Sequence, residues 1–489
     1  MQIRKTLLAL GLAVALAGCE TVRFLENEPF PAGDPEAGYR YDKLAEHTSG
    51  NSEEVFVILT FSGGGTRAAA LAYGVLEKLR NTMITVDGRE RSLLQEVDVV
   101  SSNSGGSYTA AYYGLFREKM FDDWPDAELH FTRQVLERDI EGAILRRVFF
   151  SPLNWFRLAS IAFNRSDLTA EFYDKEIFDR RKFGDLTRRG RPFVIINAND
   201  TTKGTRFEFT QEHFDLICSD LTDYPLARAV MASSAVHGLF GVVRLRNYDK
   251  ANCPEPVWVG VALGEETGNR GDLDANRERY ELARLARSYR DKDGAADPTT
   301  EYYVHLADGG PVDNLGLRAP LLALRSTDPE WSVLRLLNRR KVKTIAVISV
   351  NAASEPDSDL EKDISGPGPL ALVGSAVTGA MDTVTLDSIQ VTDTKIRERI
   401  RSLKALGWPV KHYGPILIDF EHIDDAELRH CFKNIGTRLT LKKRTTRGLR
   451  QIAYQLVHES AGFQKFLADM GGRELPVPDP QPGRPPCTL

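Results

Sequence analysis

Histidine is scarce in this chain, nine among 489 residues. None lies near the stretch 99–114, VVSSNSGGSYTAAYYG, where serines crowd around two glycines. A reactive serine there would lack a local imidazole base. Cysteine is sparse too: five residues, with no C-x-x-C spacing and no histidine cluster beside them, which leaves no zinc pattern. No D-x-D-x-D-G loop is present, so metal-independent chemistry is expected. Beyond the N-terminal segment no run is apolar and long enough to span a bilayer. Basic residues are in deficit, 63 Lys and Arg against 68 Asp and Glu for a formal net charge of −5, which argues against a nucleic-acid partner.

What is present begins at the N-terminus. Arg4 and Lys5 precede an apolar run over 6–16, followed by Leu16-Ala17-Gly18-Cys19. A basic region, a short apolar region and small residues before a cleavage point make a secretory signal over 1–18. Cysteine after Leu-Ala-Gly resembles a bacterial lipoprotein cleavage box, which implies lipidation of Cys19. Glu20 follows instead of an inner-membrane retention aspartate, so the expected location is the bacterial envelope, at the outer membrane facing the periplasm. Removing residues 1–18 makes the net charge more negative by two. Residues 19–52 are polar, with Pro29, Pro31 and Pro35, and read as a tether. In an oxidising compartment the remaining cysteines suggest two disulfides, Cys218 with Cys253 and Cys431 with Cys487 by chain proximity, with four free thiols as the alternative.

Buried-strand runs recur at 54–60, 97–100, 193–197, 302–306, 343–350 and 415–420, with helical periodicity at 68–80 and 108–120. That alternation predicts a largely parallel sheet flanked by helices. A main domain over 53–465 carries two additions: 121–190, a candidate lid or cap, and a charged insertion at 264–300. Residues 466–489 are a Pro-rich tail, read as extended. Within the first addition, 149–163 (FFSPLNWFRLASIAF) is aromatic and sits beside Arg146 and Arg147. It suits either an interfacial contact or a helix packed on the core.

Gly63, Gly64 and Gly65 lie between a strand and a helix, where backbone amides make an anion site. A P-loop would end in Gly-Lys-Ser/Thr, and Thr66-Arg67-Ala68 does not. Gly63-x-Gly65-x-x-Ala68 loosely fits a dinucleotide fingerprint, and an oxyanion hole for acyl transfer fits equally. Among the serines, Ser104 alone follows a strand with small residues at both −2 and +2, Ser102 and Gly106, as a nucleophile elbow requires. The usual first glycine of that elbow is Ser102 here, so slight strain is expected.

Gly63-Gly64-Gly65-Thr66-Arg67, then Ser102-Asn103-Ser104-Gly105-Gly106, then Asp308-Gly309-Gly310 occur in that order, with ARAVMASSAVHGLF between the last two. Together they make the chain resemble the patatin-like phospholipase family over roughly 53–320, with His237 where the family has a proline. The resemblance implies a three-layer α/β/α sandwich with a mostly parallel central sheet and helical insertions. It also implies a Ser104–Asp308 dyad without histidine or cofactor, and an oxyanion loop at Gly63–Gly65, the Gly64 and Gly65 amides foremost. Ser102, Gly106, Gly309 and Gly310 would let the backbones approach. Arg67 would meet a lipid phosphate or brace the loop through an internal carboxylate, the latter preferred; Arg228 poses the same choice. The expected activity is phospholipase- or lysophospholipase-type ester hydrolysis on a phospholipid or related acyl ester, at the membrane through Cys19. Protein partners stay unassigned. The alternative is a non-catalytic lipoprotein with this fold that binds acyl chains or an envelope partner.

Overall fold

A computed structural model describes residues 24–30, 37–45, 50–236, 238–248, 253, 255–264, 277–290, 302–325, 342–355, 369–405, 407–476 and 484–488. The signal region, Cys19, His237 and most of the charged insertion lie outside them. No described helix is long and apolar enough to cross a membrane.

The central sheet takes its strands in chain order as β1 (Val55–Phe61), β2 (Val97–Asn103), β3 (Phe193–Asp200), β4 (Thr205–Glu208), β5 (Val243–Asn247), β6 (Tyr302–Asp308), β7 (Thr344–Asn351) and β8 (Lys411–Asp419). Spatially they run β8-β7-β1-β2-β3-β6-β5, with β4 also pairing β3. The five from β8 to β3 are parallel; β6 and β5 join antiparallel. Every residue of β1, β2 and β3 is buried. Apolar runs without alternation suit parallel strands covered on both faces.

The helices used below are α1 (Gly65–Arg80), α2 (Ser104–Phe116), α3 (Ile140–Phe149), α4 (Pro152–Leu158), α5 (Arg165–Glu176), α6 (Leu226–Ser233), α7 (Arg318–Arg325), α8 (Pro369–Ala405) and α9 (Lys443–Glu459). One helical layer is built from α1, α2, α6 and α9, and α7 and α8 pack together in the other. The fold is the expected mostly parallel α/β/α arrangement.

Three segment readings need correction. The stretch 19–52 is not simply a tether, because 24–30 and much of 37–45 are packed on the domain. Glu28–Pro29 pairs antiparallel with Ser219–Asp220, and Tyr39 stacks on Phe193 with no exposed surface. The tail is likewise held: Arg473–Glu474 pairs with Thr82–Met83, Thr445 donates to the Thr488 carbonyl, and Cys487 is bonded to Cys431. A boundary at 465 would also cut the helix Ala461–Asp469. The addition at 121–190 is only partly outside the core, since Phe121, Phe131, Phe172 and Phe178 are buried. A second disulfide joins Cys218 to Cys253.

Candidate active site

β1 and β2 end side by side, and their carboxyl ends carry the two glycine-rich turns. β1 leads through Ser62 into Gly63, Gly64 and Gly65, and α1 starts at Gly65. Gly64 and Gly65 have φ of 134° and 58°, the left-handed region that glycine enters without a steric penalty. β2 leads into α2 at Ser104, whose φ is 45°. A non-glycine residue there is strained, as a nucleophile elbow demands.

The two turns interlock. A Cβ on Gly105 would lie 2.0 Å from the Gly65 carbonyl oxygen, so only glycine lets the elbow meet the loop. The Gly106 amide donates to Ser62 O at 3.2 Å. Ser102 fits despite its side chain because its hydroxyl donates to Ile195 O on β3 at 3.2 Å.

Asp308 reaches the same place from the other direction. β6 runs antiparallel to β3 with Asp308 opposite Ala198, while Asn197, one residue earlier, is opposite Asn103 on β2. The strand therefore stops level with the elbow. Gly309 is needed for close approach, since a Cβ there would lie 2.1 Å from Asn103 Oδ1. The Gly310 amide donates to Asp308 Oδ1 at 2.9 Å. Ser104 and Asp308 are both nearly dry, 5% and 9% exposed. Tyr108, one turn beyond Ser104, has its pKa pushed up to about 12 by burial, with the nearby Asp308 charge adding to the rise.

The glycine amides divide by role. Gly63 N–H donates to Asn314, side chain at 3.2 Å and carbonyl at 3.3 Å. Thr66 N–H donates to Arg438 O at 2.9 Å. The Gly64 and Gly65 amides have no hydrogen-bond partner among the described residues. Two adjacent unpaired amides at a helix start, beside a serine, favour negative charge on an incoming oxygen.

Arg67 departs from the preferred expectation. Its buried guanidinium donates to Ala352 O at 2.8 Å and to the Ile435 carbonyl, and reaches Thr437 Oγ1 at 3.5 Å. It braces the loop through neutral oxygens instead of a carboxylate, and burial lowers its pKa to about 10. Arg228 does pair internally, with Asp167 at 2.6 Å. Of the histidines that follow Asp308 in the chain, His422 bonds Asp419 at 2.6 Å and His458 bonds Glu474 at 2.7 Å.

Sequence reasoning missed three positioning residues. Ser233 Oγ accepts the Ser104 amide at 2.8 Å and lies 3.0 Å from Ser107 Oγ. Asn103 donates to the Asp313 carbonyl, and Asn314 holds Gly63. These bonds span 126 to 251 positions, a pairing no local pattern announces.

A family model described as Patatin-like phospholipase matches residues 59–321, more than half of the chain. The chain belongs to the patatin-like phospholipase family. That family acts on lipid substrates as acyl hydrolases. The match ends before β7 and β8, yet β7 pairs with β1 and β8 with β7, extending the same parallel sheet. From outside the matched span, Ala352, Ile435 and Thr437 hold Arg67 and Arg438 O accepts the Thr66 amide. No curated protein matches the chain.

Proposed function

We propose that the chain is a serine acyl hydrolase of phospholipids or related esters, anchored to the bacterial envelope through a lipidated Cys19. Asp308 takes the Ser104 proton as the serine oxygen attacks the ester carbonyl. The carbonyl electrons move onto oxygen, where the Gly64 and Gly65 amides receive the charge; each such donor lowers the barrier by about 3 kcal/mol. Collapse expels the alcohol, which takes the proton from Asp308, and leaves an acyl-serine. Water then repeats the sequence and frees the fatty acid. A carboxylate in water is too weak a base for a serine hydroxyl, but burial raises its proton affinity and narrows that gap.

The observation that carries this reading is the strained Ser104 at a strand-to-helix bend, packed on a loop whose two left-handed glycines keep their amides open. The test is lipid analysis after incubating the protein with envelope phospholipids. Free fatty acid and lysolipid should accumulate with the wild-type chain and not with Ser104→Ala. Equal release by both would remove the assignment.

A further inference from the structure

The α3–α4 hairpin shows apolar side chains to solvent. Phe150 is 82% exposed, Phe156 66%, Phe149 and Leu153 61% each, and Ile161 98%. Its polar groups are meanwhile tied down. Asp139 caps α3 and Ser151 caps α4. Trp155 Nε1 donates to Val148 O at 2.7 Å, Arg147 pairs with Glu176 at 3.1 Å, and the Arg157 guanidinium sits 3.9 Å over the Phe163 ring. This is a preformed apolar surface, and such patches mark an interaction.

Three observations choose a bilayer as its occupant. First, the N-terminal chain is fastened to the hairpin. Phe24 N–H donates to Ala162 O at 2.9 Å, and the Phe24 ring lies under Arg244, which donates to Ile161 O at 2.9 Å. Cys19 is five positions before Phe24, so acyl chains on it enter the membrane within about 18 Å of Phe24. Second, the hairpin's three arginines are each balanced by a carboxylate, Arg146 by Asp139, Arg147 by Glu176 and Arg157 by Glu171, so the apolar face enters a headgroup boundary without an unbalanced charge of its own. Third, the apolar surface continues toward the site. Asn164 donates to Val242 O at 2.9 Å, joining the hairpin to the segment that exposes Val236 and Leu239. The other end of that segment accepts the Asp308 amide at Ala235 O, 3.1 Å, and the Ser104 amide at Ser233 Oγ.

We propose that the α3–α4 hairpin, with Val236 and Leu239, seats in the headgroup–acyl boundary of the membrane that holds the Cys19 lipid, so that the Ser104–Asp308 cleft opens onto the bilayer. This rests on the lipidated acyl-hydrolase reading above.

The test uses the mature lipoprotein in vesicles of phosphatidylethanolamine and phosphatidylglycerol with brominated acyl chains. The emission that disappears in Trp155→Phe should be quenched by the bromines in the wild-type chain. In Phe150→Glu/Phe156→Glu that quenching should be lost. Vesicle phospholipid hydrolysis should fall about tenfold or more, while a soluble butyrate ester is hydrolysed at the wild-type rate. Unquenched Trp155, or unchanged vesicle hydrolysis in the double variant, overturns the proposal and leaves the face to a protein partner. The two readings fail separately: inactivity on the soluble ester speaks against the catalytic assignment, the mass of the N-terminal peptide reports acylation of Cys19, and the quenching decides insertion in either case.

Discussion

The hydroxyl of Ser233 accepts the Ser104 amide hydrogen at 2.8 Å, while the Ser233 carbonyl accepts the Gly309 amide hydrogen at 3.4 Å. One residue of α6 therefore fixes the elbow serine and the glycine after Asp308 together. Ser233→Ala leaves the Ser104 amide buried without this acceptor, at a cost of about 1–3 kcal/mol. It should lower kcat on a soluble ester about tenfold, with little change in KM, because it loosens the relation between nucleophile and base. Steady-state kinetics and a denaturation curve on the same preparation check this.

The positive φ of Ser104 makes a second, opposite expectation. Glycine relieves the left-handed strain that serine and alanine both bear, by about 1 kcal/mol. Ser104→Gly should melt above Ser104→Ala, with both inactive. Thermal melting of the pair reads this directly, and the reverse order would place no strain at the elbow.

His412 supplies a pH dependence away from the site. It lies on β8 near Asp393 and Arg397, and burial lowers its pKa from 6.5 to about 4. The unfolded chain takes up a proton at this position near pH 6.5, and the folded chain does not until near pH 4. Its contribution is thus complete above about pH 6.5 and is lost as pH falls toward 4, by up to about 3 kcal/mol. His412→Gln should flatten that part of the stability–pH curve, measured by denaturant midpoints between pH 7 and 4.

The parts of the fold legible in the sequence are those written in consecutive residues. Apolar runs such as VFVILTF announce strands buried on both faces, and the three glycine-rich turns keep their order and spacing. Val243–Asn247 is not announced because it is short and its buried Val243 and Leu245 alternate with Arg244 and Arg246. The N-terminal stretch reads as a tether because its prolines and charges outweigh the few side chains that bury it, Tyr39, Tyr41 and Leu44 among them. The roles of Arg67, Ser233 and Asn314 rest on contacts with distant chain segments, so they exist only once the sheet is assembled. Exposure of Phe150 and Phe156 was equally undecidable, since an aromatic helix reads alike whether it faces the core or water.

In the proposed chemistry a buried carboxylate, with no imidazole, activates a serine at a strained bend. The most direct measurement is the rate at which a fluorophosphonate probe labels the wild-type chain, Ser104→Ala and Asp308→Asn, with the labelled peptide identified by mass. One label per wild-type chain is expected on Ser104, none on Ser104→Ala, and labelling of folded Asp308→Asn slowed about a hundredfold or more. Label on another residue, or Asp308→Asn reacting at the wild-type rate, contradicts it.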